Sequence, residues 1–141
     1  MKFQYRFSVL FLVSFTAMAS PNHGFSAKSN QDPIFIEKCE LYKQALKEGD
    51  LPLLKSFVEK RWLEGDKAPR VEQHILKKAN RYQQVLSDAG NYIVQEKRLS
   101  TMTKDNVAQV LITWTNGDKF TMHDGCVFEK IESSELWEID L

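Results

Sequence analysis

The stretch with the clearest pattern in the sequence is DNVAQVLITWTNGDKF at residues 105–120. Apolar and polar side chains alternate up to Trp114, the chain turns at Asn116-Gly117, and a second alternating run begins at Lys119. Asn-Gly between two such runs is the strongest short-range signal for a β-hairpin, because both residues tolerate positive φ. The stretch therefore predicts an antiparallel hairpin with strands at 107–114 and 119–124.

A two-residue turn also fixes the register of this hairpin. It pairs Thr115 with Asp118 and places Val107 opposite Cys126, on one side of the sheet. If Cys126 bonds Cys39 of the first helix, this side meets the helices. The other side is then an outer face that carries large apolar side chains.

Large apolar side chains on an outer face are typical of an interaction surface. We expect a partner to cover them, first of all a second copy of the chain. The candidate interface residues are Val110, Ile112, Trp114, Thr121 and His123. Two alternatives stay open: Trp114 caps the sheet edge beneath a loop, or a bulge at Gly125 shifts the strand and inverts the facing of Cys126.

Helical patterns precede the hairpin. Asp32-Pro33 opens a first helix that Gly49 ends, Asp50 caps a short second helix, and residues 69–87 form a third. After the third helix the period changes to two, which predicts strands at 92–99, 127–132 and Leu136–Ile139. Helices followed by antiparallel hairpins indicate an α+β domain in which the helices pack on one sheet face.

The first residues predict export. Residues 1–19 combine Lys2 and Arg6, a short apolar run and an Ala17-Met18-Ala19 cleavage site, as in a secretory signal peptide. An uncleaved anchor is the alternative. Residues 20–31 are small and polar and predict a flexible mature N-terminus, which leaves 32–141 as the domain. We therefore expect a bacterial protein that is periplasmic or secreted, with no stable membrane span after cleavage.

Charge and cysteine content limit the function classes. The chain holds 19 Lys and Arg against 19 Asp and Glu, so removal of Lys2 and Arg6 leaves a slightly acidic mature protein. Such a balance argues against nucleic acid as a partner. In an oxidising compartment we expect Cys39 and Cys126 to form a disulfide, and the alternative is two buried thiols. No residue pattern indicates a metal site or a cofactor.

The order of these elements resembles the NTF2-like (cystatin-like) superfamily, and is closest to small exported bacterial domains of the DUF4878, lumazine-binding-like kind. The likeness rests on YKQALKEGDLPLLKSFV at 42–58, NVAQVLITWTNGDKFTM at 106–122 and FEKIESSELWEID at 128–140. It implies a curved antiparallel sheet wrapped around the helices as a cone with a pocket at its open end. Dimers are frequent in that superfamily. Its isomerase-like enzymes carry a pocket Asp and Tyr, roles that no motif here transfers to particular residues.

The candidate pocket residues are Tyr42, Tyr82 and Tyr92, whose hydroxyls could project into the mouth of a cone; ordinary burial is the alternative. His123 and Asp124 are neighbours on a strand and point to opposite faces, so they cannot act together directly. No nucleophile motif or phosphate-binding loop is present.

We therefore expect an exported noncatalytic binding or interaction domain, with a homodimer or another protein as partner. The alternatives are a small-molecule pocket protein or isomerase-like enzyme, an immunity-type inhibitor, and an accessory subunit of an envelope assembly.

Overall fold

A computed structural model describes residues 23–100, 104–117 and 121–141. The predicted signal peptide at 1–19 lies outside these ranges and stays a prediction. The helices of the described chain are α1 (Ile34–Glu48), α2 (Leu51–Ser56) and α3 (Ala68–Ala89). Short 3-10 turns at Lys60–Trp62 and Gly65–Lys67 connect the last two of them. The strands are β1 (Phe25–Ser26), β2 (Ile93–Leu99), β3 (Val107–Thr115), β4 (Thr121–Lys130) and β5 (Leu136–Ile139).

These strands form one curled antiparallel sheet in the order β1-β5-β4-β3-β2, and the helices lie against its concave face. The α+β fold predicted from the sequence is confirmed. Helix α1 lies closest to the sheet, where it contacts β2, β3 and β4, and α3 packs on α1 and α2. The buried face of α1 is the predicted one: Phe35, Cys39, Tyr42 and Leu46.

The boundary between the first two helices follows from two neighbouring residues. Gly49 takes φ 70°, where a side chain would be strained, and its N–H donates to the Ala45 carbonyl. The carboxylate of Asp50 accepts a hydrogen bond from the Leu53 N–H at 3.0 Å, which satisfies a donor at the start of α2. The chain therefore reverses sharply between α1 and α2.

Replacing Asp50 tests whether its carboxylate stabilises the start of α2. We expect Asp50→Ala to lower the free energy of unfolding by about 1 kcal/mol, because the Leu53 N–H loses its acceptor. Urea unfolding followed by circular dichroism measures the loss. Asp66→Ala, at an exposed position, serves as the matched control and is expected to stay within about 0.5 kcal/mol of the parent. Equal losses in both variants would contradict the capping role.

The central hairpin differs from the prediction in its register. Thr115 pairs with Thr121 instead of the predicted partner Asp118, which lies outside the described residues. Val107 stands opposite Glu129, three positions beyond the predicted partner Cys126. One cause is visible at Asn116, whose side-chain amide donates to the Ala89 carbonyl at the end of α3.

A shift by an odd number of residues exchanges the two faces of a strand. Val110, Ile112 and Trp114 therefore point toward the helices and are buried in the core. The prediction that these three residues form an outer interface is wrong. The ladder continues through β4 without a bulge at Gly125, so the described parts of the two predicted strands at 119–124 and 127–132 belong to one strand. Residues 119 and 120 lie outside the described ranges. A bulge occurs instead in β2, between Val94 and Glu96.

The segment preceding α1 also differs from its prediction. Within residues 20–31, the part from His23 onward is described, and it lies against the domain rather than free of it. Phe25 pairs with Trp137 as part of β1, and its ring centroid lies 5.5 Å from that of Phe35 and 5.3 Å from that of Phe128. The apolar Phe25 side chain explains this, since it completes an aromatic cluster at one end of the core.

Candidate functional site

The disulfide predicted between Cys39 and Cys126 is present, with 5.7 Å between the two Cα atoms. It joins α1 to β4. One helical turn beyond Cys39 on α1 is Lys43, and two residues before Cys126 on β4 is Asp124. The Lys43 ammonium contacts the Asp124 carboxylate at 2.6 Å, so α1 and β4 are connected twice, once covalently and once by an ion pair.

This ion pair stands between two cavities. The first, here called the cone cavity, has a volume of about 380 Å³. The second, called the neighbouring cavity, has a volume of about 200 Å³. Lys43 and Asp124 contribute to the wall of both, and each side chain is only about 15% exposed (14% and 15%). The pair is therefore a partly buried partition under the concave face of the sheet.

The walls of the cone cavity combine polar and apolar groups. Helix α1 supplies Tyr42 and Lys43, and α3 supplies Lys78. The sheet contributes residues 109–111 of β3 and 124–127 of β4, and residues 139–141 close the end. This mixture of apolar walls and a few convergent polar groups is typical of a small-ligand site, and the volume lies in the range of such sites.

Tyr42, one of the lining residues, has a buried hydroxyl. The residue is 2% exposed, and its hydroxyl has no hydrogen-bond partner among the described residues. Burial raises the pKa of Tyr42 well above the ordinary value for tyrosine, and the negative charge of Asp124 raises it further. The hydroxyl therefore stays protonated at neutral pH, and a buried hydroxyl without an acceptor costs stability that a ligand could restore.

Lys78 is the second group without a partner. Within the described ranges no carboxylate lies in ion-pair distance of its ammonium. Burial lowers the pKa of Lys78, and the positive charge of Lys43 lowers it further. Asp140 and Asp124 oppose this and raise the pKa, but burial has the larger effect. The side chain is thus a partly buried cation that faces the cone cavity.

The neighbouring cavity takes up the other two predicted pocket tyrosines. Tyr82 and Tyr92 line it together with Trp114, and the Lys43 ammonium lies 5.0 Å from the centre of the Tyr82 ring. Burial raises the pKa of Tyr82, and the Asp124 charge adds to that effect. The structure therefore divides the three tyrosines: Tyr42 lines the cone cavity, whereas Tyr82 and Tyr92 line the neighbouring cavity.

The remaining predicted site residues lie on the convex face. Thr121 and His123 are exposed there, and the His123 Nδ1 lies 3.2 Å from the Thr113 hydroxyl oxygen. Asp124 points inward while His123 points outward, as strand alternation predicts. The five candidate interface residues thus divide into three core residues and two surface residues, and they do not form one patch.

Sequence reasoning missed Lys43 and Lys78 as site residues. Lys43 could have been found, because a residue four positions after Cys39 lies on the same side of α1 as the disulfide. Lys78 gives no comparable signal, since it stands in a run of charged residues on α3 and only the packing of α3 on α1 brings it to the cavity.

Two features are absent from the described residues. In residues 23–100, 104–117 and 121–141, no group of three or more His, Cys, Asp or Glu side chains could hold a metal ion. No helix in those ranges has the length and apolar content needed to cross a membrane.

Comparison with known proteins assigns no family to the chain. No protein-family model and no curated protein matches the chain. Among solved structures, it is similar to a Campylobacter jejuni protein that carries the name NTF2-like transpeptidase, known from a crystal structure. The two share 13% sequence identity and a TM-score of 0.48, over 71% of this chain and 91% of the other.

Proposed function

We propose that this protein is an exported, noncatalytic binding domain that holds a small molecule in the cone cavity. The observation that carries the proposal is Tyr42, which lines the cone cavity and has a buried hydroxyl without an acceptor among the described residues. A ligand that reaches this hydroxyl and accepts its hydrogen bond would satisfy it, and the apolar Leu141 of the wall, which is partly exposed, would contact the rest of the ligand.

Export is part of the proposal. The Cys39–Cys126 disulfide supports it, because disulfides persist in oxidising compartments. The sequence of residues 1–19 supports it as well.

The ion pair between Asp124 and Lys43 favours a binding function over a catalytic one. A carboxylate that acts as a general base needs free access to the proton it removes. One oxygen of Asp124 is engaged by Lys43 at 2.6 Å, which ties it to a structural contact between α1 and β4. An isomerase-like activity would require that contact to open.

The sequence predicts a homodimer whose interface includes Val110, Ile112 and Trp114. These three residues are buried in the core, so they cannot form that interface. The homodimer stays a prediction, which light scattering of the mature protein can decide.

A screen of small fragments of all charge types tests the binding proposal. Ligand-observed NMR is expected to find binders, and Tyr42→Phe is expected to weaken the best acceptor-bearing binder about fivefold, which is the value of one neutral hydrogen bond. Tyr82→Phe is the matched control, because it removes a hydroxyl from the neighbouring cavity only, and it should leave the affinity within about twofold. The binder should be recovered chemically unchanged.

Two results would contradict this proposal. One is the absence of any binder from the screen. The other is an equal loss of affinity in Tyr42→Phe and Tyr82→Phe, which would place binding elsewhere. Recovery of a converted product would contradict the noncatalytic part alone.

A further inference from the structure

Asn116 and Gly117 form an exposed step directly after β3. Gly117 takes φ 127°, and a Cβ atom placed on it would meet no other atom within 4 Å. Its N–H donates to the Thr115 hydroxyl at 3.2 Å, which is at the long end of the hydrogen-bond range. Because glycine has no side chain, its nitrogen is the least hindered that can follow an asparagine. The step therefore combines an exposed side-chain amide with an accessible backbone nitrogen.

The side-chain amide of Asn116 also has a structural role. Its Nδ2 donates to the carbonyl oxygen of Ala89 at 2.9 Å, and Ala89 is the last residue of α3, where carbonyl groups lack partners within the helix. The hydrogen bond ties the end of β3 to the connection that leads from α3 to β2. Tyr92 in this connection lies 4.9 Å from Trp114 between ring centroids, at the neighbouring cavity. Loss of the amide would thus release a connection beside that cavity.

We propose that Asn116 is a site of spontaneous deamidation, and that the reaction breaks the contact between the end of β3 and α3. The Gly117 nitrogen attacks the Cγ atom of Asn116. A C–N bond forms, the bond from Cγ to Nδ2 breaks, and the proton of the attacking nitrogen leaves with the amide group as ammonia. Water then opens the cyclic succinimide at either of its two C–N bonds, which gives aspartate or isoaspartate. One water is consumed and one ammonia is released.

Neither product can replace the amide in its contact with Ala89. A carboxylate is ionised at neutral pH and only accepts hydrogen bonds, whereas the partner is itself a carbonyl oxygen. The new negative charge would also lie at the carboxyl end of α3, where the helix dipole already places partial negative charge. In isoaspartate the main chain runs through the former side-chain carbon, which lengthens the connection after β3. Both products therefore weaken the same contact.

Peptide mapping by mass spectrometry, after incubation of the folded mature protein in mildly alkaline buffer, tests the modification. Trypsin cleavage after Lys104 and Lys119 gives one peptide that contains both Asn116 and Asn106, so the second asparagine is an internal control. We expect deamidation to be about tenfold or more faster at Asn116, because the branched side chain of Val107 crowds the nitrogen that follows Asn106. Equal rates, or no deamidation at Asn116, would overturn the proposal.

The variant Asn116→Asp carries one of the two products and tests the structural consequence. Its melting temperature is expected to lie about 4 °C below that of the parent, since a hydrogen bond is lost and a charge is added at the end of α3. Asn106→Asp adds the same charge at another exposed position and is expected to shift the melting temperature by about 1 °C or less. Equal shifts in the two variants would overturn the loss of the contact with α3.

Discussion

The variant Cys39→Ala, Cys126→Ala is expected to unfold with a free energy about 4.5 kcal/mol below that of the parent protein. The two cysteines are 87 positions apart, and a cross-link over so long a loop removes much of the conformational freedom of the unfolded chain. A domain of this size has a net stability of about 5–15 kcal/mol, so the loss takes up a large share of it. Urea unfolding monitored by tryptophan fluorescence measures the difference.

The reduced parent protein is the control that separates loss of the cross-link from loss of the two sulfur atoms. It keeps both sulfur atoms but lacks the cross-link, and we expect it to lose nearly as much stability as the double variant. A loss below about 1 kcal/mol in both would contradict the entropic account, and would mean that the unfolded chain is already compact around this contact.

Gly125→Ala is expected to destabilise the protein by about 3 kcal/mol or more, although it adds a single methyl group. A Cβ atom at this position would lie 1.9 Å from the Val110 carbonyl oxygen, within the backbone of the neighbouring strand β3. Backbone atoms paired in a ladder cannot move aside as the end of a flexible side chain can. The usual gain from replacing glycine, about 0.4–1 kcal/mol through the unfolded state, is too small to offset this collision.

His123→Ala provides the control for Gly125→Ala, because residue 123 is exposed on the same strand and its Cβ already exists. We expect a change within about 0.5 kcal/mol for that variant, again from urea unfolding. If Gly125→Ala were as mild as His123→Ala, β3 and β4 could not approach each other as closely as described.

The element order could be predicted from the sequence because the local signals were strong. Pro33, Gly49 and Asp50 mark helix ends by mechanisms that act within a few residues, and the structure confirms helices bounded there. The last strand, Leu136–Ile139, was predicted with its observed bounds. The facing of β4 also followed correctly from the disulfide, which turns Cys126 and Asp124 inward.

The disulfide could not show which side of β3 points toward the helices, because β3 contains no cysteine. It depended on the length of the connection after Thr115, and Asn116 caps α3 instead of forming a two-residue turn. A second signal was present: Ala108, Val110, Ile112 and Trp114 form a wholly apolar face, whereas the alternate positions include Gln109, Thr113 and Thr115. Apolar content would have placed the first set inside, as observed.

The candidate site was the least predictable feature because it is assembled from three distant segments. Tyr42 was proposed as a pocket residue for its chemistry, and it does line the cone cavity. Its relation to Lys78 and Asp124 arises only when α1, α3 and β4 are packed together. The binding proposal rests on the Tyr42 hydroxyl, which has no acceptor among the described residues.

Backbone amide NMR of the isotopically labelled mature protein, titrated with the tightest fragment from the screen, tests that account most directly. We expect the largest signal shifts at the amides around the cone cavity, namely Tyr42, Lys78, Gln109, Cys126 and Asp140. Shifts concentrated instead on the convex face, at Thr113, Thr115 and His123, would contradict the assignment of the cone cavity as the binding site.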